Sequence, residues 1–193
     1  MKIFLGVAAS APLMTAAGEL SRQLQARTAA VAPLARVAWV PPDRFHLTVL
    51  FIGHVTPPQL DAVRAALARP LSEPRFELAI EGTGVFPGHG APRVIWAGCG
   101  AGREAFARLQ REAHARVSAV VPLPSERDTQ PHLTLARVKD AGGLRGRALL
   151  EHVADLPLGT MPVRAVSLFE SRPMRAGVEY VPLLDVPLSA GCA

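Results

Sequence analysis

Sulfur is nearly absent as thiol. The chain has two cysteines, Cys99 and Cys192, far apart and in no metal-ligand spacing. That excludes a disulfide-stapled fold and leaves both as expected free thiols. Lysine is equally scarce: Lys2 and Lys139 are the only two, so almost all positive charge is arginine. No apolar run is long enough to span a bilayer. There is no Gly-x-Ser-x-Gly elbow and no Gly-rich phosphate loop ahead of a helix, so triad hydrolases and nucleoside triphosphatases find no support. No His/Cys/Asp/Glu cluster has metal-ligand spacing, so neither metal nor cofactor is expected.

The composition is that of a packed globule. Of the 193 residues, 49% are hydrophobic and 19% charged, enough for one domain or one domain of two lobes. The net charge is +5 and the pI about 10.2. Arginine forks match phosphate geometry, so the bias fits a phosphate-bearing partner; it fits codon bias equally, since Ala, Pro and Gly are also abundant. The apolar start, Met1 to Ala8, reads as a buried strand rather than a leader, because the run is short and Pro12 opens a helix. A cytoplasmic monomer without membrane contact is expected.

Periodicity predicts strands over 2–9, 37–40, 45–52, 76–80, 94–97, 132–138, 163–171 and 179–186. It predicts helices over 12–27, 57–67, 102–117 and 145–154. Hairpins and helices interleave, which argues for α+β with largely antiparallel sheet. The whole chain, 1–193, is read as one domain.

One segment occurs twice. His46-Leu47-Thr48 returns as His132-Leu133-Thr134, each in an apolar, strand-like context. In a strand, residues i and i+2 share a face. Each copy therefore presents an imidazole beside a hydroxyl, with leucine turned away. Two such pairs are the minimum for acid–base chemistry on a phosphate. His46 and His132 are the expected catalytic residues, one giving a proton and one taking one. Thr48 and Thr134 are expected to hold phosphate oxygens. His54, His89, His114 and His152 lack the motif and are read as structural or surface residues. Strand alternation sets Arg137 on the face opposite Thr134 unless the strand bends there.

These stretches resemble the 2H phosphoesterases, in particular the RNA 2′,3′-cyclic phosphodiesterases, formerly called 2′-5′ RNA ligases. The similar segments are His46-Leu47-Thr48-Val49-Leu50-Phe51-Ile52-Gly53, Gly84-Val85-Phe86-Pro87, Pro92-Arg93-Val94-Ile95-Trp96-Ala97-Gly98 and Pro131-His132-Leu133-Thr134-Leu135-Ala136-Arg137. Leu168-Phe169-Glu170-Ser171 and Tyr180-Val181-Pro182-Leu183 resemble its last strands. One departure is Thr129, where the family usually carries an aromatic.

The resemblance implies two pseudo-symmetric lobes of largely antiparallel sheet, with flanking helices, around a central groove. It implies metal-free hydrolysis of an RNA terminal 2′,3′-cyclic phosphate to a 2′-phosphate, with weak reverse 2′-5′ ligation. It also implies His46 as general acid, His132 as general base, and Arg137 as a substrate-binding residue; Phe86 and Arg93 are weaker candidates. The expected partners are RNA ends or nucleotides carrying the cyclic phosphate. Two other readings stay open: a non-catalytic nucleotide- or RNA-binding module, and a 2H enzyme for small cyclic nucleotides or 2′-5′ oligoadenylate.

Overall fold

A computed structural model describes residues 1–123, 130–174 and 177–190. Its elements are β1 (Lys2–Ala8), α1 (Ala11–Val31), β2 (Arg36–Trp39), β3 (His46–His54), α2 (Pro57–Ala66), β4 (Leu71–Pro74) and β5 (Phe76–Phe86). After these come β6 (Val94–Cys99), α3 (Arg103–Ser118), β7 (His132–Asp140), α4 (Gly146–Leu150), β8 (Pro157–Val163), β9 (Ala165–Met174) and β10 (Gly177–Ser189). A 3-10 turn at Pro42–Arg44 leads into β3. The class is α+β, as the interleaved pattern predicted.

The ten strands form one sheet in the order β4-β10-β9-β1-β3-β7-β6-β5-β8, with β2 also on β7. Among the described residues, only the β10–β4 pairing is parallel. The sheet has a seam at its centre, because β3 and β7 pair at one position, Leu47 with Leu133. Beyond it β7 pairs with β2 instead, from Ala136 to Asp140. Both leucines are fully buried, turned away from the histidines as the repeat predicted.

The helices interlock the halves. α1 follows β1 but lies against β8 and α4, in the β7 half; α3 follows β6 but also lies against β3 and β4. Leu13, Ala17, Leu20 and Leu24 of α1, and Phe106, Leu109, Ala113 and Val117 of α3, join the same core as Leu47 and Leu133. Full burial of one such leucine or phenylalanine is worth about 1.5–3 kcal/mol. α2 starts with a capping box: Thr56 accepts from the Gln59 amide while the Gln59 side chain accepts from the Thr56 amide.

Several boundaries differ from the periodic reading. α1 runs on to Val31, and α4 spans only five residues, since Glu151 leaves helical geometry. β4 and β8 were not predicted; both carry proline and lie at the ends of the sheet order, where proline is tolerated. Among the described residues, no helix is long and apolar enough to cross a membrane. Cys99 is buried, which pushes its thiol up to about 12 and makes it inert. Cys192 and Thr129 lie outside the described residues.

Candidate active site

His46 opens β3 and His132 opens β7. The antiparallel Leu47–Leu133 pairing sets His46 across from Thr134 and Thr48 across from His132. All four share the face opposite the two buried leucines, and all four are half-buried.

The two rings are fixed alike. His46 Nδ1 donates to the Arg44 carbonyl at 2.9 Å, and His132 Nδ1 donates to the Gln130 carbonyl at 2.8 Å. A carbonyl can only accept, so Nδ1 holds a proton in both rings and Nε2 is left to exchange one. The Arg44 carbonyl is set by the 3-10 turn, which rests on α1. There a Cβ on Gly18 would come within 3.2 Å of Pro42. Gly6 of β1 stands opposite Thr48. A Cβ on it would lie 3.1 Å from the Leu47 carbonyl and 3.5 Å from His46 Cδ2, so bare backbone makes room for the ring. From α3, Gln110 Nε2 donates to the Thr48 carbonyl at 3.3 Å.

Each imidazole has an aromatic wall. The Phe4 and Tyr180 ring centroids lie 5.0 and 4.8 Å from His46. Phe86 meets His132 edge-on at 5.2 Å, with Trp96 at 6.4 Å. Trp96 lies flat over Gly84, where a Cβ would fall 2.1 Å from the indole.

Arg137 reaches the site face through a bulge. On β6, Trp96 pairs with Thr134 and the next residue back, Ile95, pairs with Ala136, so Leu135 is one residue in excess. The bulge resets the alternation, and Arg137 shares a face with Thr134. Simple alternation, which set it on the far face, failed for this reason. β3 bulges at the equivalent place. Gly6 pairs with Thr48 and Leu5 with Leu50, leaving Val49 in excess and turning Phe51 to the same face.

Both histidines are held below the ordinary imidazole value. Burial is the main cause, opposed by the hydrogen bond to the backbone carbonyl and reinforced by the Arg137 charge. His46 is lowered further by charge on His132. Among the described residues, no three His, Cys, Asp or Glu are grouped to hold a metal ion. Of the weaker candidates, Phe86 is at the site and Arg93 is exposed at the β5–β6 connection. His54, His89 and His152 are exposed and His114 is half-buried on α3.

A family model described as LigT-like phosphoesterase matches residues 12–96 and 100–180, a span that includes both histidine motifs. The chain belongs to the LigT-like phosphoesterase family. Relatives of this LigT-like chain include an RNA 2′,3′-cyclic phosphodiesterase of Aeropyrum pernix, 33% identical over 75% of this chain and 82% of that one. Another, of the same name, from Methanothermobacter thermautotrophicus, is 36% identical over 76% of this chain and 79% of its own length. Among solved structures, TT0787 of Thermus thermophilus superposes with a TM-score of 0.77 at 29% identity, covering 97% of this chain and 98% of that one. E. coli LigT complexed with 3′-AMP shares the fold, with a TM-score of 0.71 at 24% identity over 97% of this chain and 98% of that one.

Sequence reading missed Phe4, Gly6, Tyr180, Trp96 and Gln110 as parts of this site. Their strands and helix were predicted, but only the tertiary register brings them to the histidines.

Proposed function

We propose that this LigT-like chain hydrolyses RNA terminal 2′,3′-cyclic phosphates, leaving a 2′-phosphate. One observation carries the reading: two imidazoles on one face of the seam, each with Nδ1 occupied and Nε2 available. Water attacks phosphorus as one Nε2 removes its proton. The other Nε2 protonates the ribose oxygen as the bond from that oxygen to phosphorus breaks. Thr48 and Thr134 donate hydrogen bonds to the non-bridging oxygens, and Arg137 offsets the phosphate charge. No metal takes part, the site is built from a single chain acting as a monomer, and the reverse reaction forms a 2′-5′ linkage weakly.

The family resemblance gives His46 the acid role. In the free protein both imidazoles are depressed, His46 also by charge on His132. For His46 to act as acid, the bound phosphate must favour its imidazolium. His46 is the better placed for this, because an anion is felt more strongly beside Phe4 and Tyr180, where less water screens it.

The test is turnover by the purified chain, in excess chelator, of an oligoribonucleotide ending in a 2′,3′-cyclic phosphate. Release of a 2′-phosphate end is expected. Binding without turnover would mark a recognition module, and loss of activity restored by a divalent ion would remove the metal-free mechanism.

A further inference from the structure

Among the described residues, Arg27, Arg108, Arg116 and Arg172 each reach a carboxylate, on Glu151, Glu73, Glu112 and Glu170. Two arginines near the histidines do not. Among the described residues, neither Arg137 nor Arg44 makes an ion pair. Arg137 is in the bulge beyond Thr134, beside the scissile phosphate of the proposed reaction. Arg44 lies two residues before His46. Its carbonyl holds the His46 ring, while its guanidinium reaches to the start of β10, where a Cβ on Gly177 would lie 3.2 Å from Nη1.

Tyr180, on the same strand, joins the two positions. Its ring packs edge-on against His46, and its phenol is held in the protonated form by burial. The charges of Arg137 and Arg44 both reach that phenol. Two cations and a phenolic donor thus lie near one histidine, and neither cation is ion-paired to a carboxylate among the described residues. Like charges left unpaired around one group favour an anion there, and two guanidinium groups can hold two phosphates.

We infer that Arg44 and Tyr180 form a second phosphate subsite, which takes the 5′-phosphate of the nucleotide whose cyclic phosphate lies between His46 and His132. It rests on the proposed function and sharpens the substrate: an RNA end or a 5′-phosphorylated nucleotide is taken in preference to a bare nucleoside cyclic phosphate. An internucleotide phosphodiester and a free 5′-phosphate offer the same oxygens to a guanidinium fork.

The experiment uses three substrates that differ only upstream: a nucleoside 2′,3′-cyclic phosphate, the same compound with a 5′-phosphate, and a dinucleotide ending in the cyclic phosphate. The expected kcat/KM for the second and third exceeds the first by about tenfold, the worth of one charge-assisted hydrogen bond. Arg44→Gln should bring that ratio close to one. Arg44→Lys should keep part of it, and rising salt should erode it in the unaltered chain. Equal use of all three substrates overturns the subsite. So does a ratio preserved in Arg44→Gln, or a gain with the dinucleotide alone, which would mean a nucleoside is read rather than a phosphate. If none of the three is turned over, the proposed reaction fails, and the subsite is then judged by binding. A nucleoside 2′,5′-bisphosphate should bind more tightly than the 2′-monophosphate by a similar factor, and Arg44→Gln should abolish the difference. Equal affinities would overturn the subsite independently of catalysis.

Discussion

His46 and His132 stand in the same three-residue motif, make the same bond to a carbonyl two residues upstream, and differ in what surrounds them. His46 has Phe4 and Tyr180 against its ring, Phe169 stacked behind Phe4, and a partly shielded carbonyl bond. His132 has Phe86 and Trp96, and its carbonyl bond is open to solvent. The bulge after each threonine is also duplicated, yet it presents Phe51 in one half and Arg137 in the other. Backbone is repeated and side chains are not. Identical groups in unlike surroundings titrate differently, and in the proposed reaction that difference divides the pair into an acid and a base.

The largest expected effect falls on both halves equally. His46→Ala and His132→Ala should each lower turnover by about 10²–10⁴, with the double substitution little worse than either, because both protons move in one displacement. Near-normal turnover in either single variant would end the two-histidine mechanism.

Next comes the cation. Arg137→Ala should raise KM by about 5- to 150-fold, corresponding to about 1–3 kcal/mol, with less effect on kcat; Arg137→Lys should recover part. It should also move the pH profile. The histidines lie below 6.5 in the free protein, so the kcat/KM bell should centre on the acid side of that value. Removing a positive charge favours the imidazolium, so the bell of Arg137→Ala should shift upward. A downward shift, or unchanged affinity, would take Arg137 out of the site.

The glycines test the packing of each half. Gly84→Ala drives a methyl to 2.1 Å from Trp96 and should cost about 1–3 kcal/mol of stability, displacing the wall of His132. Gly6→Ala meets its neighbours no closer than 3.1 Å, so thermal melts should register a smaller loss. Equal losses would mean the two walls are equally rigid. The smallest effect is electrostatic. In an NMR titration of the imidazoles, inorganic phosphate should raise both pKa values, and His46 more than His132. The reverse order would assign the acid role to His132.

The histidines and threonines were legible in the chain because their spacing needs no tertiary context: a strand puts i and i+2 on one face. Arg137 was legible only through family resemblance. Its face depends on the extra residue at Leu135, which shows in the pairing with β6 and not in the alternation of β7 itself. Tyr180 and Phe4 were read as strand residues and no more. Phe4 meets His46 through the β1–β3 pairing, and Tyr180 does so because β10 lies on β9 and β9 on β1, a register with no local signature. β8 and β4 were missed for a related reason, since edge strands rich in proline lack the apolar alternation that marks interior ones.

The Leu47–Leu133 pairing relates the two motifs by a local approximate two-fold, since it sets His46 across from Thr134 and Thr48 across from His132. A displacement at phosphorus has that symmetry too: attacking and leaving oxygens at the two apices, with non-bridging oxygens related across the same axis. In the proposed reaction, a phosphate held between the two motifs has one imidazole for the attacking oxygen and one for the leaving oxygen. Exchanging entering water for a departing ribose hydroxyl rotates the reaction by half a turn and returns nearly the same arrangement. In the proposed reaction the backbone of the paired motifs is therefore close to palindromic for chemistry, and the direction of travel is set by which nucleophile is abundant.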